Sequence, residues 1–267
     1  MENEFVWVKD KLSSKFSSKD FLLKFILAVL SFLSYKIFFN IQFVIILMVA
    51  FAIHEFGHIA ALYLLKIKNK GFYFIPFIGA ITLYKDTCKS YTESAIISIG
   101  GPLFGLIMAL LSFICLFIFN YPIFFDITIV ACMLNILNML PATPLDGGKI
   151  IKYIGLSLSD KIAYTLMVIG LIFSFIFLYW LGMKPVAFSL LFLSCIDIYY
   201  TYIFNDLLIK YLNKEITSLE LPTNLSDDLD QICIKSAMPI KSILYILFSY
   251  IVIVGLFGGM IYYLRLY

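Results

Sequence analysis

The sequence predicts an all-α polytopic membrane protein with about six to seven transmembrane helices. Of its 267 residues, 62% are hydrophobic and only 14% are charged, where soluble domains run nearer ~25% charged. The apolar residues also gather in runs close to the ~20 residues that a helix needs to cross ~30 Å of hydrocarbon. A soluble fold has no interior large enough for this much Phe, Ile and Leu. The composition therefore excludes an ordinary soluble globule, a disordered chain and a nucleic-acid binder. The five cysteines have no paired spacing, which argues against a disulfide or cysteine–zinc framework.

In chain order, residues 1–20 place Phe5, Val8, Leu12 and Phe16 at helical spacing opposite Lys9, Lys11 and Lys15. That is the pattern of an amphipathic segment on the inner leaflet. It is not a secretory signal, because no apolar stretch precedes Phe21. Spans are expected at 21–39, 41–65, 95–119, 122–140, 162–181, 185–204 and 243–264. Ser90 and Glu93 form a capping box before the third span, and Ser159–Asp160 can cap the fifth. Pro122 and Pro185 fall where a first helical turn tolerates proline. A core over 21–206 is expected, then a cytoplasmic linker over 207–240 and an additional C-terminal transmembrane helix over 241–267.

Placing the N-terminus in the cytoplasm puts 17 of the 20 basic residues on the inner side, as the positive-inside rule requires. The richness in Ile, Phe, Lys and Asn points to an AT-rich prokaryote. The expected location is therefore a multi-pass protein of a prokaryotic cell membrane.

The chain has two histidines, and both lie in the second span, in His54-Glu55-Phe56-Gly57-His58. On a helix, positions i and i+4 share a face. The two imidazoles can then hold one zinc ion with Glu55 beside it as general base. Ionisable groups at membrane depth are expensive and are usually functional, so a chance H-E-x-x-H is a poor account of this pattern. His58 precedes Lys66 by eight residues, which puts the metal ~12 Å inside the inner face at ~1.5 Å per residue.

Zinc needs a third protein ligand. Glu93 and Asp160 read as helix caps, and Asp126 falls on the opposite side of the membrane. Asp197, in the sixth span, has no role assigned. Asp146 follows Pro141 and Pro144 and precedes Gly147-Gly148, in a break near the cytoplasmic end at the depth of His58. Broken backbone at that depth is tolerated only where protein or a wet cavity surrounds it. Asp146 is the third ligand on this reading. Asn138 is a candidate donor to a carbonyl that gains charge in the transition state, whereas Asn135 suits an interhelical hydrogen bond.

His54-Glu55-Phe56-Gly57-His58, followed by Asn138…Pro141…Pro144-Leu145-Asp146-Gly147, resembles the site-2 protease family of intramembrane zinc metalloproteases, peptidase family M50. The resemblance covers roughly residues 21–206. It implies His54, His58 and Asp146 as ligands of one Zn2+ per chain and Glu55 as the catalytic acid/base. Asn138 and the 141–144 segment would shape the substrate site. It also implies that 71–84, apolar but broken by Pro76 and Gly79, is a short membrane-embedded β-hairpin whose edge receives substrate. The segment Ile99–Gly105 resembles the family's glycine–proline stretch, although close helix packing alone would explain it.

The expected function is hydrolysis of peptide bonds within or near the transmembrane segments of membrane-protein or membrane-anchored substrates. No PDZ-like insert is read between the spans, so size exclusion or a partner protein is expected to supply selection. The alternative is a non-proteolytic metal-binding transporter or scaffold. The absence of an internal repeat counts against a transporter, and two histidines are too few for a di-iron desaturase.

Overall fold

A computed structural model describes residues 18–77, 79–84, 88, 90–212 and 236–266. In chain order the elements are α1 (Ser18–Lys36), α2 (Ile41–Leu64), β1 (Asn69–Ile75), β2 (Gly79–Tyr84), α3 (Tyr91–Phe119), α4 (Pro122–Asn138), α5 (Asp146–Leu158), α6 (Asp160–Trp180), α7 (Lys184–Leu212) and α8 (Ile240–Leu266). The amphipathic segment expected over 1–20 and the linker expected over 207–240 lie largely outside the described residues.

Each of the seven expected spans is helical, and five helices are long and apolar enough to cross a membrane: α2, α3, α6, α7 and α8. This makes the chain an integral membrane protein by length and composition. The two runs that fall short do so for physical reasons. α1 carries Asp20, whose carboxylate lies 2.8 Å from Lys24 Nζ, so its first turn is polar. α4 has 17 residues, about 25 Å of helix, and stops where Met139 begins the proline-containing turn to α5. α5 itself was not expected from the sequence.

Helix ends follow the sequence signals. Ser90 Oγ accepts from Glu93 N at the start of α3, and Ser159 Oγ accepts from Ile162 N at the start of α6. Within the spans, Ser112 and Thr128 each donate to a carbonyl one turn back or lie hydroxyl to hydroxyl across the helices at 2.8 Å. This is how polar groups survive in hydrocarbon. The outer faces of α6 and α7 expose Ile169, Ile172, Phe173, Phe188 and Phe192, the surface that lipid would cover.

Lipid tails are as apolar as leucine, so close packing rather than hydrophobic exclusion must hold such helices together. α2 and α3 meet through Gly57 and Gly100. A Cβ added at Gly57 would lie 2.1 Å from the Gly100 carbonyl oxygen, so any side chain there forces the helices apart. α8 is integrated with the core rather than appended to it. Its Ile246, Ile253, Phe257 and Met260 join a buried cluster with Ala109, Ala131 and Ile150, and Tyr250 donates to the Met139 carbonyl.

β1 and β2 form an antiparallel pair with Phe72 opposite Thr82 and Ile75 opposite Gly79, so the hairpin read over 71–84 is present and begins at Asn69. Gly79 adopts φ +135°, a conformation that L side chains rarely reach. Strand alternation half-buries Ala80, Thr82 and Tyr84 while Ile81 and Leu83 face out. β1 is held to α1 through a 2.8 Å bond from Tyr73 Oη to Asp20.

Candidate metal centre

His54 and His58 stack one turn apart on α2 and are buried, as are Glu55 and, at the start of α5, Asp146. Each imidazole spends one nitrogen on protein. His58 Nδ1 lies 2.7 Å from the Ile97 carbonyl oxygen; a carbonyl only accepts, so Nδ1 carries the hydrogen. His54 Nδ1 lies 2.8 Å from Asn135 Oδ1. The Asn135 Nδ2 donates to the Ala131 carbonyl at 2.7 Å, which fixes the amide's orientation and makes His54 Nδ1 a donor as well. In the neutral rings both Nε2 atoms then carry lone pairs.

Those lone pairs converge. His54 Nε2 lies 3.2 Å from His58 Nε2, and Asp146 Oδ2 lies 3.0 Å from the first and 3.3 Å from the second. Three acceptors at such separations repel unless a cation is shared among them. Ligands ~2.0–2.1 Å from one tetrahedral zinc lie about 3.3 Å from each other. The donor set, two neutral imidazoles and a carboxylate, is that of a catalytic zinc site. Among the described residues, this is the one group of three His, Cys, Asp or Glu side chains with ligand atoms this close. The remaining Asp146 oxygen lies 3.5 Å from Lys149 Nζ.

Small residues make the space. A Cβ at Gly101 on α3 would lie 2.4 Å from His58 Nε2 and 2.7 Å from His54 Nε2, so the missing methyl leaves a cradle against both nitrogens. A Cβ at Gly148 would meet the Ala142 backbone at 2.1 Å, and one at Gly147 the Met139 carbonyl at 2.2 Å. The turn 139–145 therefore lies directly on the first turn of α5, which brings Asp146 back to α2. On the far side, Ser194 donates to the Thr143 carbonyl, and Gly170 of α6 gives room to the Pro141 carbonyl.

Glu55 points to the hairpin, and Thr82 Oγ1 of β2 donates to its Oε2 at 2.5 Å. Asn138 is half-buried and donates to the Leu134 carbonyl at 3.2 Å within its own helix. Asn135 does bond between helices, as its sequence setting suggested, and the partner is His54. Asp197 pairs with Lys152 of α5 at 3.2 Å and is not part of the ligand cluster. Asp126 accepts from Gln42 Nε2 at 2.7 Å, twelve residues or ~18 Å along α2 from His54. Sequence reading did not single out Gly101, Thr82 or the His54 contact of Asn135. Of these, only Gly101 lies in a stretch that carries a signal, Ile99–Gly105, which resembles the family's glycine–proline segment and which close helix packing also explains, as holds for Gly100.

Residues 42–127 match the family model described as peptidase family M50; the matched stretch includes both histidines and Gly101, which faces them. A curated zinc metalloprotease of Methanocaldococcus jannaschii is 32% identical over 142 residues, covering 51% of this chain. The chain spans 39% of that relative's length. The solved site-2 protease from Methanocaldococcus jannaschii aligns with a TM-score of 0.47 and 27% identity, over 64% of this chain and 86% of that one. Over these stretches the chain is therefore similar to peptidase family M50 and to a zinc metalloprotease, and the similarity falls on a chain with this buried His-His-Asp cluster.

Proposed function

We propose that this chain is an intramembrane zinc metalloprotease, holding one Zn2+ per chain through His54, His58 and Asp146. It would cut peptide bonds within or near the transmembrane segments of membrane-protein or membrane-anchored substrates. The supporting observation is the convergence of three metal-ligand atoms in a helical bundle, with Glu55, itself buried, next in sequence to His54. Zinc, when bound, supplies Lewis acidity that brings a water toward neutral pKa and polarises a carbonyl.

The protein's own groups do the rest. Thr82 engages Glu55 Oε2, which leaves Oε1 to take the proton of the attacking water and pass it to the leaving nitrogen as the C–N bond breaks. Asn138 turns from the Leu134 carbonyl to donate to the substrate carbonyl oxygen. A substrate helix shields its own amides, so the cut segment must be extended; a strand laid along the hairpin would hold it so.

The test is zinc removal from the purified, reconstituted protein, using a single-span peptide with a fluorophore–quencher pair across its membrane segment. One zinc per chain and cleavage that stops on chelation and returns with Zn2+ are expected. Cleavage indifferent to zinc, or a chain that binds zinc without hydrolysing any membrane peptide, would overturn the reading, the second outcome favouring a scaffold.

The orientation is part of the same proposal, with the N-terminus in the cytoplasm of a prokaryotic cell. Single cysteines placed after Lys66 and after Tyr121, in a background without native cysteines, should react with impermeant reagents from opposite faces. Labelling of both from one face would reverse this assignment.

A further inference from the structure

We infer that Asn135 is a positioning residue for the metal centre, fixing the tautomer and ring plane of His54, and that Gly105 exists to admit it. This rests on the proposed zinc reading and adds a residue outside the ligand set. Asn135 sits on α4, 1% exposed, in a stretch whose neighbours are Cys132, Leu134 and Ile136. An amide in such surroundings carries a desolvation penalty unless both of its ends are satisfied. Both ends are. Oδ1 faces His54 Nδ1 at 2.8 Å and Nδ2 faces the Ala131 carbonyl at 2.7 Å. The second bond removes the ambiguity of the amide, since the oxygen is left to face the ring.

The consequence for His54 is specific. An imidazole that donates through Nδ1 presents its Nε2 lone pair, and its plane is fixed by the line of the donated bond. Groups that hold a ligand histidine in this way raise its basicity as well as orient it, and losing them typically weakens metal binding 10–100-fold. His58 receives the same service from the Ile97 carbonyl of α3, a main-chain atom that no substitution removes. Asn135 is the side-chain counterpart, so this half of the arrangement is open to mutation.

Gly105 provides a second, independent handle. A Cβ there would fall 2.1 Å from Asn135 Nδ2, 2.2 Å from Oδ1 and 2.3 Å from Cγ. The amide therefore lies flat against the α3 backbone in space that any side chain at 105 would take. One turn earlier, Gly101 faces the two Nε2 atoms. The two glycines line one face of α3, the first beside the metal-facing nitrogens and the second beneath the residue that aims one of them.

The experiment measures zinc affinity of the full chain in detergent by competition with a chromophoric chelator, and the d–d absorption of the Co2+-loaded protein as a report on donor geometry. Asn135→Leu, which keeps the volume and removes the acceptor, should weaken Zn2+ about 10–100-fold and alter the Co2+ bands. Asn135→Asp, which keeps an acceptor toward His54 Nδ1, should hold affinity within a few-fold of wild type. Gly105→Ala, which leaves Asn135 in the chain but displaces its amide, should resemble Asn135→Leu. Helical content by circular dichroism identifies any variant that fails to fold; if Asn135→Leu is one, Gly105→Ala decides. Wild-type zinc affinity and Co2+ spectrum in folded Asn135→Leu or Gly105→Ala would overturn the inference while leaving the zinc reading intact. A wild-type chain that binds no zinc at all would sink both together.

Discussion

Glu55→Gln is expected to reduce turnover by ~10²–10⁴-fold, the range over which a positioned general base contributes, while zinc content stays at the wild-type level. The argument is one of shape against charge. Gln fills the same buried volume, and its amide oxygen can still accept from the Thr82 hydroxyl that now engages Oε2. What it lacks is the capacity to take a proton. Glu55 is also not among the three side chains whose ligand atoms converge, so the metal site has no reason to weaken. Metal analysis beside a cleavage assay on the reconstituted protein checks both halves. Turnover near wild type would remove Glu55 as the base, and loss of zinc would make it a ligand instead.

Asp146→Ala is expected to release the metal, weakening zinc by more than the 10–100-fold typical of outer partners. Two effects act in the same direction. The substitution removes one of three donors, and it strips away the carboxylate that faces Lys149 Nζ at 3.5 Å. An unbalanced ammonium near two imidazoles then opposes any cation. Asp146→Asn separates these effects, because it keeps a neutral oxygen donor while removing the charge; its affinity should fall between the other two. Full zinc occupancy in Asp146→Ala would exclude Asp146 from the ligand set and redirect the search to another acid.

Much of this was legible in the residues, for identifiable reasons. Helices declare themselves in a membrane chain because hydrocarbon demands long apolar runs, and all seven runs are helical. His54 and His58 were readable because helical periodicity alone puts them on one face. The meeting of Asp146 with them could be argued because a Pro-Gly break at depth requires a compensating environment. What was not legible depends on packing between elements. That 146–158 resumes as a helix was hidden by the glycines that open it, which are required by the close approach of the 139–145 turn rather than by a loop. The roles of Gly101 and Gly105 are invisible until α3 is placed against α2 and α4, and Thr82 becomes notable only when the hairpin is folded onto α2.

The ligand atoms come from places 92 residues apart in sequence. A cation shared by them would act as a rivet between the first and second halves of the fold, joining α2 to the hinge at which α5 begins. Its binding free energy would then belong to the stability of the bundle as much as to chemistry, growing with the logarithm of free metal above its dissociation constant. Starvation for the ion would accordingly do more than silence the protein: it would unfasten the seam along which these helices are joined.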